Sequence, residues 1–160
     1  MFVEKYIAED FLEKYKSIMA FLNNGENANG ASEYAELREK IYSDFRLNKN
    51  SFSKLVGNEF IASIEKAVFD KFVYLKRYQK GYVMLSTSNN MYYQVHALTS
   101  PLEEIVEDYI LIETALIPYA GVWVCDGLIL RYASLGKDIQ KSVRDGYWEA
   151  KRAGKLQIHV

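Results

Sequence analysis

The stretch Tyr109–Tyr132, YILIETALIPYAGVWVCDGLILRY, decides the fold. It is the most apolar part of the chain, and Pro118, Gly121 and Asp126-Gly127 divide it into strand-length pieces. Ile110–Ile117 reads as one strand. Val122–Cys125 and Leu128–Tyr132 flank Asp126-Gly127, a pair that tolerates positive φ, so the expectation is a hairpin over a type I′ turn. Cys125 would then face Leu128, with Trp123 opposite Leu130. The run is long enough to cross a bilayer, but Glu113, Pro118 and Asp126 are costly or misplaced in a membrane helix.

Working outward, the residues after Gly81 have a strand period. Tyr82–Thr87 and Tyr92–Leu98 flank Ser88-Asn89-Asn90-Met91, a hairpin signal. Ser100-Pro101-Leu102-Glu103 has the form of a capping box with proline at the first helical position, and predicts a short helix ending near Asp108. Ser134–Ala153 reads as a long helix closed by Gly154, and Leu156–Val160 as a final strand. Before Gly81 the period is helical. Ile7, Phe11, Tyr15, Ile18 and Leu22 share a face of a helix over residues 3–22, stopped by Asn23-Asn24-Gly25. A second helix is expected from Ser32 to about Arg46, with a break at Asn48–Ser53. A third is expected from about Asn58 to Tyr78, with an early switch to strand at Phe72-Val73-Tyr74 as the main alternative.

These elements give an α+β fold: N-terminal helices, then a mostly antiparallel sheet packed by a long C-terminal helix. The expected organisation is one domain over residues 1–160, helical to about residue 80 and sheet plus helix from about 81.

The composition excludes several classes. With 49% apolar and 26% charged residues the chain is an ordinary globular one, and a net charge of −1 offers no global attraction to nucleic acid or anionic membrane. A single cysteine, Cys125, cannot form an intramolecular disulfide and fits a reducing compartment. The start Met1-Phe2-Val3-Glu4-Lys5-Tyr6 lacks the basic beginning and apolar run of a signal peptide, so the expected location is cytoplasmic. The 13 tyrosines suit either a half-buried sheet or a contact surface.

The C-terminal half resembles a group of poorly characterised bacterial proteins. The residues that carry the likeness are Leu98-Thr99, Pro101-Leu102-Glu103-Glu104-Ile105, Glu113-Thr114, Leu116-Ile117-Pro118-Tyr119-Ala120-Gly121 and Asp126-Gly127-Leu128, within about residues 72–155. Tyr119 stands where that group usually has Phe, and Ala120 where a basic residue is common. Some members carry a zinc-binding SEC-C tail, for which this chain has no Cys/His-rich counterpart. The resemblance implies a shared fold and a bacterial or phage origin, and no activity.

Candidate chemistry is sparse. His96, with Tyr92 and Gln94 on its face of a strand, and Glu113, set among apolar residues, would form an acid–base pair if neighbouring strands joined them; Asp126 is the third acid–base candidate. Cys125 has no local base or positive field to make it a nucleophile. His96, His159 and Cys125 have no paired metal-ligand spacing, so no metal or other cofactor is expected. Gly136-Lys137 opens a helix but lacks the spacing of a phosphate loop.

The C-terminal helix carries the strongest signal. At 100° per residue, Ile139, Val143, Tyr147 and Ala150 share the side expected to pack on the sheet. Lys137, Lys141, Arg144 and Lys151 form a basic stripe centred on Trp148, and Asp138, Asp145 and Glu149 lie beside it. A basic stripe around a tryptophan suits an acidic protein surface or a nucleic-acid backbone. The expectation is therefore a non-catalytic protein-binding module, such as an inhibitor or immunity-type factor, acting through Lys137, Lys141, Arg144, Trp148 and Lys151. Two alternatives are a small hydrolase using Glu113 and His96, and a nucleic-acid-binding adaptor using the basic stripe.

Overall fold

The computed structural model describes residues 1–159 and divides into two compact units. One is helical, Glu4–Ala67. The other joins Met1–Val3 to the chain from Val68 onward.

The helical unit contains α1 (Lys5–Leu22), α2 (Ala31–Ser43), α3 (Phe45–Val56) and α4 (Asn58–Glu65). The face predicted for α1 is buried through Phe11, Tyr15 and Ile18, and Phe11 packs edge-on against Phe60 of α4 at 5.6 Å. Gly25, at φ 87°, donates its N–H to the Ala20 carbonyl and ends α1 where the Asn-Asn-Gly signal lies. The expected break at Asn48–Ser53 is absent. The chain turns at Asp44 instead, and Asn48–Ser53 lies inside α3, where Phe52 is buried beside the rings of Phe21 and Phe45. Lys49 reaches Glu65 on α4 at 3.0 Å.

A second correction concerns the third helix. It ends at Glu65, and Val68–Tyr78 is strand β1. Phe72, Val73, Tyr74 and Leu75 are all buried. A strand buried on both faces has a continuous apolar run, which periodicity does not separate from a helix.

The remaining strands are β2 (Gly81–Ser86), β3 (Tyr92–His96), β4 (Ile110–Tyr119), β5 (Val122–Cys125) and β6 (Leu130–Ser134), followed by α5 (Lys137–Arg152). β1 pairs with β2, β2 with β3, β3 with β5, β5 with β4, and β4 with β1, so five strands close on themselves. Among the described strand pairs only β3–β5 is parallel. The expected sheet is thus mostly antiparallel, but it forms a small barrel filled by side chains. Phe72, Tyr74, Tyr82, Tyr93, Ile112 and Trp123 occupy the interior. Leu102 and Val106, from the β3–β4 connection, join the same core.

The hairpin expected at Asp126-Gly127 is displaced. The two-residue turn is Ala120-Gly121, with φ of 51° and 80°, between Tyr119 and its partner Val122. Cys125 therefore faces Leu116 and Trp123 faces Pro118. The buried Asp126 carboxylate accepts hydrogen bonds from Thr114 Oγ1 (3.0 Å) and the Leu128 N–H (2.9 Å), steering the chain off β5. β6 then pairs with the first half of β4 and not with β5.

The capping box is also not formed. Pro101 is extended (φ −59°, ψ 133°), and only a single 3-10 turn, Leu102–Glu104, follows. The Glu103 carboxylate is engaged elsewhere, by the Tyr82 hydroxyl (2.5 Å) and Arg77 (2.7 Å). In place of the final strand, Gln157 and His159 make isolated bridges to Tyr93 and Val122, and Val160 lies outside the described residues.

Candidate docking surface on the C-terminal helix

α5 lies on the outer face of β1–β3. Val143 and Tyr147 pack with Val73, Leu75 and Val83. The Tyr92 hydroxyl donates to the Val143 carbonyl at 2.8 Å, and Gly146 makes room for it, since a Cβ there would stand 2.4 Å from that oxygen. Gln140 Nε2 donates to the Leu135 carbonyl at the helix start. The predicted packing side holds for Val143 and Tyr147. Ile139 is 53% exposed, because it sits in the first turn, ahead of the Val143–Tyr147 seat.

This seating turns Lys137, Lys141, Arg144 and Lys151 outward, and all four are exposed. None makes an ion pair with a described residue, so Asp138 and Lys141 do not close the pair that helical spacing allows. Asp138, Asp145 and Glu149 line a shallow depression with Tyr92 and Lys141. Basic and acidic groups thus occupy adjacent stripes of one helix.

Trp148 is 40% exposed yet held in place. Its ring stands edge-on to Tyr78 (6.0 Å, 85°) and tilts against Tyr147 (4.9 Å, 56°). Lys151 Nζ lies 5.0 Å from the Trp148 ring centre and 5.9 Å from that of Tyr147. These rings wall a notch of about 270 Å3 whose other sides are Gln94, Leu156 and Ile158. Burial pushes the Tyr78 and Tyr147 hydroxyls above their ordinary values, so neither brings negative charge to the notch.

The acid–base candidates are not assembled. His96 is aligned with Val124 of β5, which is aligned with Ile117 of β4. Glu113 lies four residues from Ile117 and pairs with Lys71 and Leu130. That register separates His96 from Glu113 by about 13 Å along the strands and about 10 Å across them. Tyr132 donates to Glu113 at 3.4 Å. Burial, reinforced by the Met1 amino group, holds His96 below the usual imidazole range. Cys125 lies inside the barrel, with Thr114 Oγ1 at 3.4 Å from its sulfur.

Among the described residues no cluster of His, Cys, Asp or Glu could hold a metal ion, and no helix is long and apolar enough to cross a membrane. Tyr78, Gln94, Leu156 and Ile158 were not legible as site residues. They meet Trp148 only through strand register and the path of the tail. No family model, curated protein or solved structure matches the chain.

Proposed function

We propose that this chain is a protein-docking module that engages its partner through the exposed face of α5. The observation that carries the reading is Trp148. It is a large, partly exposed aromatic held by two tyrosines and set among cations that make no ion pair with a described residue. Rigid aromatic anchors of this kind, ringed by charge, are what interfaces use to concentrate binding energy.

A nucleic-acid adaptor is the weaker reading. Small five-stranded barrels that bind oligonucleotides use the outer face of their second and third strands. Here Val83 of β2 is buried against α5, and Tyr92 of β3 is bonded to the helix. The acidic stripe beside the basic one also opposes a continuous polyanion. A hydrolase using Glu113 and His96 would need the two side chains within hydrogen-bond reach, against the register given above.

The reading is tested by affinity capture with wild-type protein and with the Arg144→Glu/Lys151→Glu variant. Both residues are exposed, so the unfolding midpoint should fall only slightly, by the loss of the Lys151 ring contacts and its place in the last turn of α5. A partner retained by wild type and lost by the variant supports docking through α5. Identical captures from two folded proteins oppose it.

A further inference from the structure

We infer that the notch beside Trp148 takes an aromatic side chain that the docking partner presents next to carboxylates. The inference rests on the docking reading and adds the chemistry of the partner segment.

Size comes first. Sites for whole cofactors or drug-sized ligands span about 300–1,000 Å3. At about 270 Å3 the notch stands at the small end of that scale, with room for one side chain. Its walls select an aromatic one. Tyr78, Tyr147 and Trp148 present ring edges and faces, to which another ring adds by offset or edge-on contact. Leu156 and Ile158 supply an aliphatic wall, while the Gln94 amide offers a hydrogen bond to a ring substituent.

Charge comes second. Lys80 and Lys151 line the notch, which contains no carboxylate among the described residues. Lys76 Nζ lies 5.2 Å from the Tyr78 ring centre, on the same aromatic cluster. None of these three lysines has an ion pair with a described residue. Lys76 and Lys151 lie over ring faces, and an anionic flank on the occupant supplies the ion pairs that no described residue gives these three lysines. The acidic depression lined by Asp138, Asp145 and Glu149 disfavours the same segment shifted along the helix. It likewise disfavours a nucleic acid, whose charge continues beyond a single base.

The test is a fluorescence titration of the whole protein, in which Trp148 is the exposed reporter and Trp123 is buried. The probes are a short peptide with one phenylalanine between aspartates, its alanine counterpart, its lysine-flanked counterpart, and a thymidine oligonucleotide. The expected result is saturable binding of the first peptide, weakened at least about tenfold by either peptide change and by Lys151→Glu. Arg144 does not line the notch but acts electrostatically on Tyr78, so Arg144→Glu should weaken the peptide less than Lys151→Glu does while still reducing partner capture. Equal affinity for acidic and basic peptides, or no saturation by about 1 mM, overturns the inference. Capture lost in Arg144→Glu would then still uphold docking, so the two failures are distinguishable. Oligonucleotide binding tighter than that of the acidic peptide overturns both.

Discussion

Gly146→Ala should not stabilise the barrel unit although it improves the helix. In an exposed helix interior the change gains about 1 kcal/mol. Here the added Cβ would stand 2.4 Å from Tyr92 Oη and 3.3 Å from Cζ. The ring must swing or α5 must lift. Swinging the ring breaks the 2.8 Å bond to the Val143 carbonyl, worth about 1 kcal/mol. Lifting the helix loosens Val143 and Tyr147 from Val73, Leu75 and Val83, and overpacking of this kind costs about 1–3 kcal/mol. Subtracting the helical gain leaves a net loss of about 0–2 kcal/mol, according to which response the protein takes, read by urea denaturation followed through tryptophan fluorescence. Tyr92→Phe in the Gly146→Ala background removes the closest atom and should recover most of the loss. A single Gly146→Ala variant that shows the full helical gain of about 1 kcal/mol would refute the seating of α5 on Tyr92.

Three further outcomes follow from the same structure. Burial and the Met1 amino group depress the folded-state pKa of His96 below 6.5, so the unfolded chain binds the proton more readily; stability should fall as pH drops through 6.5, and His96→Asn should flatten that part of the pH–stability curve. Ala120 holds φ 51° in the β4–β5 turn, so Ala120→Gly should stabilise by about 1 kcal/mol in thermal or urea unfolding, and a loss would show that the turn is not left-handed there. Asp126→Ala removes the carboxylate that accepts from the buried Thr114 hydroxyl and the Leu128 N–H, and should cost about 2–3 kcal/mol; a neutral result would contradict the steering role of this carboxylate.

Much of the barrel was readable because its strands alternate or carry turn residues. β2, β3 and β4 lie where the period of two and the Ser88–Met91 turn place them. β1 was not readable, since burial of Phe72 through Leu75 erases alternation. The Asp126-Gly127 turn misled for a different reason. Its chemistry fits a type I′ hairpin, but Ala120-Gly121 joins the two longer apolar segments, and Asp126 is drawn to Thr114 from the neighbouring strand. Closure of the sheet depends on β1–β4 pairing between segments about forty residues apart, which no local pattern encodes. The charged stripes of α5 were legible because a helix with one seated face separates the rest by angle alone. The notch was not, because Tyr78, Gln94 and Ile158 converge on Trp148 from separate parts of the chain.

The most direct test of docking through α5 is capture by wild-type and Arg144→Glu/Lys151→Glu protein, with unfolding midpoints measured on the same samples. The account predicts a partner that is retained by the wild type and lost by the variant, whose midpoint falls only slightly. The same proteins recovered with both, each folded, would contradict it.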